Sequence, residues 1–153
     1  MLDQYYYSKA DELEALAIDK QVSVSRLAAW CSDFLIDMHG QQRVSTPNAI
    51  ALAEVKDHLV AIGRVGVNNV GKAQRDDALV TLWQIHDMER AADRVLAAYA
   101  RAAIGCFAGD KEWAGSQADS ETPIYYHFLN LVDLGMDVLD AFYLFLKAKL
   151  VGS

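Results

Sequence analysis

His86, Glu89 and Asp93 lie three and four residues apart, the spacing that puts side chains on one face of a helix. Asp133, Asp137 and Asp140 repeat that spacing near the C-terminus. If the two faces met, their oxygens and one imidazole could hold Mg²⁺, Mn²⁺ or iron, as helix-bundle metal proteins do. The order of residues works against this. The carboxylate signature is Glu-x-x-His, whereas here it reads His86-x-x-Glu89. A solvated face, with Arg90, Arg94 and Arg101 pairing with nearby acids, accounts for the same residues. His39, His58 and His127 are scattered without HxxxH or HExxH spacing, which argues against zinc. No serine sits in a nucleophile elbow, and no Cys–His pair can be inferred.

Gly66-Val-Asn-Asn-Val-Gly71-Lys72-Ala73 nearly matches the phosphate-binding loop GxxxxGK[ST]. Ala73 stands where that loop needs a hydroxyl for Mg²⁺. The loop also needs a preceding strand in a parallel sheet. Leu59–Ile62 is the one run that could supply it, and no second strand follows. The stretch Leu16–Trp30, within residues 13–38, has the outline of a helix-turn-helix. Gln21 occupies its glycine position, and Ala28 and Ala29 cannot hydrogen-bond bases. Ser23 or Ser25 as an ordinary N-cap explains the same residues. Tyr5-Tyr6-Tyr7 and Tyr125-Tyr126 are aromatic clusters beside helix starts. Such clusters either seal the end of a bundle or anchor an interface.

The elements that must position these residues follow from composition and period. Ala and Leu supply 40 of 153 residues, and there are only 2 Pro. Helices are predicted near 8–20, 24–39, 46–62, 74–107 and 123–150. The start signals are Ser8 with Asp11, Ser23, Thr46-Pro47 and Thr122-Pro123; Gly40 and Gly63 supply stops. A kink is allowed for near Asp87 in the long fourth helix. Residues 108–122 read as a polar loop. The fifth helix is apolar over most of its circumference: Ile124, Phe128, Leu131, Val138, Phe142 and Phe145 form one face. Leu129, Val132, Met136, Leu139, Tyr143 and Leu146 form another, so the helix must be surrounded or shared with a partner.

The net charge is −7, with −3 concentrated in residues 109–122 and only +1 in residues 41–108. No region offers a basic face for a duplex or an anionic membrane, so nucleic acid is disfavoured. The longest unbroken apolar run near the C-terminus, Ala141–Leu146, is too short to span a bilayer. Met1-Leu2-Asp3-Gln4 lacks the pattern of a signal peptide. Cys31 and Cys106 form no CxxC and sit in apolar helical patterns, as small hydrophobes of a reduced cytoplasm do.

The expected fold is all-α: one domain over 1–153, a five-helix bundle with a long, largely buried C-terminal helix. The expected function is protein–protein interaction, as an inhibitor, an immunity or anti-defence protein, or a regulatory adaptor. Its partner would be basic, such as a nucleic-acid-handling enzyme. Two rival readings are a metal-dependent enzyme using acidic faces of the fourth and fifth helices, and a DNA-binding regulator using residues 13–38. No catalytic, cofactor-binding or metal-binding residue is assigned. Leu139, Phe142, Tyr143, Phe145 and Leu146 are the expected interface, covered by a second copy in a homodimer or by an obligate partner on residues 139–150.

Overall fold

The computed structural model describes residues 2–116 and 121–153. Among them there is no strand. Eight α-helices follow one another: α1 (Gln4–Asp19), α2 (Val24–Gly40), α3 (Ala49–Val65), α4 (Lys72–Glu89), α5 (Arg94–Gly105), α6 (Asp110–Ala114), α7 (Ile124–Leu131) and α8 (Met136–Val151). The all-helical class is as the sequence predicts. The count of five is not, because two long helices are each divided and a short one, α6, lies within the expected loop. Residues 117–120 of that loop fall outside the described residues.

The expected helix 74–107 divides at Asp93 rather than bending near Asp87. The Asp93 carboxylate accepts the Leu96 amide at 3.1 Å and the Thr46 hydroxyl. An aspartate that satisfies an unpaired amide begins a helix instead of continuing one. Periodicity concealed the break, because Leu82 and Leu96 are buried on both sides of it. Ala92, which lies at helical spacing from Leu96, is exposed in the connecting turn.

The expected helix 123–150 divides at Gly135, whose φ of 108° and ψ of 163° lie where essentially only glycine goes. A 3₁₀ turn, Val132–Leu134, leads into it. Gly135→Ala should therefore cost about 1–3 kcal/mol in urea unfolding, although no neighbour crowds the position.

Other boundaries shift by a few residues. α1 begins at Gln4, capped by Asp3 accepting the Tyr5 amide at 2.8 Å, so Ser8 and Asp11 lie inside it. α3 is capped by Asn48, which accepts the Ala51 amide at 3.1 Å, and runs through Gly63 to end at Gly66, φ 88°. Of the two expected caps of α2, Ser23 and Ser25, it is Ser23 that accepts the Arg26 amide, at 3.1 Å.

The core draws most heavily on α2, α5 and α8, with α7 packed among them. Phe142 of α8 meets Phe34 of α2 at 5.1 Å and Phe128 of α7 at 5.0 Å between ring centroids. Buried Tyr99 of α5 donates to the Leu35 carbonyl at 2.6 Å, tying α5 to α2. α8 lies against α1, α2 and α7. Leu139, Phe142, Tyr143 and Leu146, expected to face a second chain, are thus buried by their own chain. Phe145 is half-buried, 5.5 Å from Phe34. Division at Gly135 is the physical reason: a sixteen-residue α8 is short enough for three neighbours to cover most of both apolar faces. It leaves Met136, Leu144 and Val151 exposed instead. Among the described residues no helix is long and apolar enough to cross a membrane.

Buried Tyr6 of α1 also fastens α8, its hydroxyl donating to Asp140 at 2.8 Å. Burial first, and then the carboxylate, pushes its pKa up to about 12 from an ordinary value near 10. The unfolded chain then releases this proton first as pH rises. Its contribution is complete below pH about 10 and is lost between about 10 and about 12. Urea midpoints should fall across that window, and fall less in Tyr6→Phe.

Candidate functional site

α1 and the distant pair α6 and α7 bring four rings into one row. Tyr7 of α1 meets Tyr125 of α7 at 4.9 Å between centroids. Tyr125 meets Tyr126 at 5.5 Å, and Tyr126 meets Trp113 of α6 at 5.4 Å. Tyr7 is 41% and Tyr126 39% exposed, so the row is a surface rather than a sealed joint. Trp113 is half-buried and donates its indole N–H to the Glu121 carbonyl at 3.2 Å. Asp11 lies one turn beyond Tyr7 on α1 and is exposed. Glu14 accepts the Thr122 amide at 3.2 Å and its hydroxyl at 3.0 Å, joining α1 to the start of α7.

Polar contacts hold α6, and with it Trp113, in place. Asp110 accepts the Val24 amide at 3.1 Å and the Asn68 side-chain amide at 2.7 Å. The bond from Asn68 keeps the Asp110 carboxyl below its ordinary range. Glu112 pairs with Arg75 of α4 and accepts the Gly109 amide at 3.2 Å. Sequence reasoning noted both tyrosine clusters but not Trp113. Its signal was a lone tryptophan in a polar, acidic stretch.

The acidic residues singled out for metal do not converge. His86 pairs with its neighbour Asp87 at 3.0 Å. Asp93 caps α5, Asp140 serves Tyr6, and Asp137 is exposed. Among the described residues no group of three or more His, Cys, Asp or Glu is placed to hold a metal ion. His86 and Asp133 do share a recess of about 130 Å³ between α4, α5 and α7, but arginines surround it. Arg90, Arg94 and Arg101 line it with Asn130, over a floor of Ala97 and Ala98.

The segment Gly66–Lys72 follows helix α3, not a strand. It forms a 3₁₀ turn, Val67–Asn69, and Lys72 then pairs with Asp76 at 2.6 Å. The phosphate-loop reading therefore lacks the strand it requires. In residues 13–38 the turn does pass through Gln21 at φ 56°, the left-handed position of the helix-turn-helix outline. However, Leu27, Ala28 and Cys31 are buried, and Asp110 sits at the α2 amide that would approach a DNA phosphate. A carboxylate there repels the backbone such a helix must grip.

The structure also assembles Cys31, Cys106 and His127, which sequence spacing could not link. All three are buried, and both thiols are free. Their mutual hydrogen bond, then burial, holds the Cys106 thiol well above its ordinary range. The His127 Nε2 has no hydrogen-bond partner among the described residues. Neither thiol is offered to a substrate at the surface.

Compared with known proteins, the chain matches no family model, no curated protein and no solved structure. What the arrangement can do is read from its own side chains. The partly exposed rings and the carboxylates beside them suit binding.

Proposed function

We propose that this chain is a helical bundle that acts by binding a basic protein partner through the row Tyr7–Tyr125–Tyr126–Trp113. The single observation carrying this reading is the continuity of the partly exposed ring row across α1, α6 and α7. Large, stiff aromatic side chains dominate interface energies because they bury much area at little entropic cost. Their π faces also attract guanidinium and ammonium groups.

The charge beside the row selects the partner. Asp11 on α1, one turn from Tyr7, and Glu121, whose carbonyl accepts the Trp113 indole N–H, are both exposed and place negative charge beside the rings. That pattern accelerates encounter with a basic surface and disfavours acidic ones. A second copy of the chain would bring the same acids to the row, so like charge opposes self-association there. An inhibitor, immunity protein or regulatory adaptor works in this way, through a surface and without chemistry of its own. The two buried free thiols suit a reducing, cytoplasmic setting.

A photo-crosslinking residue placed at Tyr126 should capture one basic protein, and the same residue at Asp57 on α3 should not. Association of the purified pair should slow steeply as salt is raised. Equal capture from both positions, or a salt-independent association rate, contradicts this reading.

A further inference from the structure

We infer that the recess between α4, α5 and α7 is a binding site for a small phosphate monoester. Three of the chain's seven arginines line this one space, in a protein whose net charge is −7. Arginines on such a surface ordinarily find carboxylates. Here only Arg94 does, reaching Asp133 loosely at 3.6 Å with both side chains largely exposed. Arg90 and Arg101 have no ion pair among the described residues.

Arg101 is the most telling. Its guanidinium is half-buried over the Trp83 ring, 5.2 Å from the centroid, and desolvation lowers its pKa. Holding a partly dehydrated cation without a counter-ion is unfavourable, and a bound anion relieves it. Stacking on Trp83 fixes the guanidinium plane, so less freedom is lost when its N–H groups bond a ligand.

The shape and charge select the anion. Arg94 and Arg101 are two turns apart on one face of α5, and Ala97 and Ala98 between them leave room instead of filling the gap. A space of about 130 Å³ holds several water-sized groups, enough for one phosphoryl group. Three arginines against Asp133 leave a net charge of +2, matching a phosphate monoester dianion at neutral pH. A tetrahedral oxyanion can meet three guanidinium groups from three directions. A carboxylate has two oxygens in one plane and can satisfy one such fork. Asn130, whose side chain makes no hydrogen bond among the described residues, supplies a neutral donor on the α7 side.

Calorimetric titration with phenyl phosphate, inorganic phosphate and a single-stranded oligonucleotide lacking terminal phosphates tests the inference. Phenyl phosphate should bind at one site, and Arg90→Gln and Arg94→Gln should each weaken it roughly tenfold or more. Both side chains are exposed, so these variants should melt like the wild type, whereas Arg101→Gln also loses a packing contact. Asp133→Asn should tighten binding several-fold by removing the competing anion, and Asp57→Asn on α3 should leave it unchanged. Binding of both compounds would support the inference and identify the phosphoryl head group as what is recognised, whereas binding of inorganic phosphate without phenyl phosphate would overturn it. Absence of binding by either compound overturns the inference. So does binding that ignores the arginine substitutions, or tighter binding of the oligonucleotide at the same arginines.

Discussion

Phe142→Asp should abolish folding of the isolated chain rather than release a soluble, folded monomer. Phe142 is 1% exposed and stacks edge-on against Phe34 and Phe128. Removing a buried aromatic side chain alone costs about 3–5 kcal/mol. The new carboxylate would also lie in an apolar pocket with no cation beside it, which costs several kcal/mol more or forces its protonation. A domain of this size has a total stability of about 5–15 kcal/mol, so the sum exhausts most or all of it. Phe142→Ala isolates the packing part and should lower urea-unfolding stability by about 3–5 kcal/mol while leaving a folded chain. Circular dichroism and sedimentation distinguish the outcomes. A folded, monomeric Phe142→Asp chain would show that this side chain faces outward, against the burial described here.

Much of the fold was legible because burial follows helical period. Leu27, Phe34, Leu35 and Met38 of α2, and Leu52, Val55, Leu59 and Ile62 of α3, recur at helical spacing and are buried, whereas Trp30 on the same α2 stripe is only half-buried. The divisions were not legible, because apolar period continues across them. Asp93 looks like one more acid on a helix face until Thr46 and Leu96 are seen to bond it. Gly135 is a single glycine in an apolar run, and only its positive φ marks a stop. The error propagated: an undivided C-terminal helix cannot be covered by its own chain, whereas α8 can. The ring row was half legible. Both tyrosine clusters stood out, but their union depends on α1 packing against α7, a contact between segments over a hundred residues apart. The arginines were read as partners for acids on their own helices, and their convergence with α7 needed the tertiary fold.

The second large effect belongs to the ring row. Trp113→Ala and Tyr126→Ala should each weaken partner binding by about 2 kcal/mol or more, roughly thirtyfold. The rings touch, at 5.4 Å between centroids, so the double variant should lose less than the product of the two. Tyr126 is 39% exposed, and its removal should leave the melting temperature nearly unchanged. Asp11→Lys should act differently, slowing association and reducing its salt dependence, with little change in dissociation. Loss of affinity through dissociation for the rings and through association for the acid is the pattern expected of an aromatic core with a charged rim.

The most direct measurement is an amide chemical-shift map of the chain titrated with the protein captured at position 126. The largest changes should fall at Tyr7, Asp11, Trp113, Tyr125 and Tyr126, with α3 unperturbed. Changes centred instead on the exposed apolar residues Ile50, Val80 and Met88 of α3 and α4, with the ring row silent, would contradict the proposed binding surface.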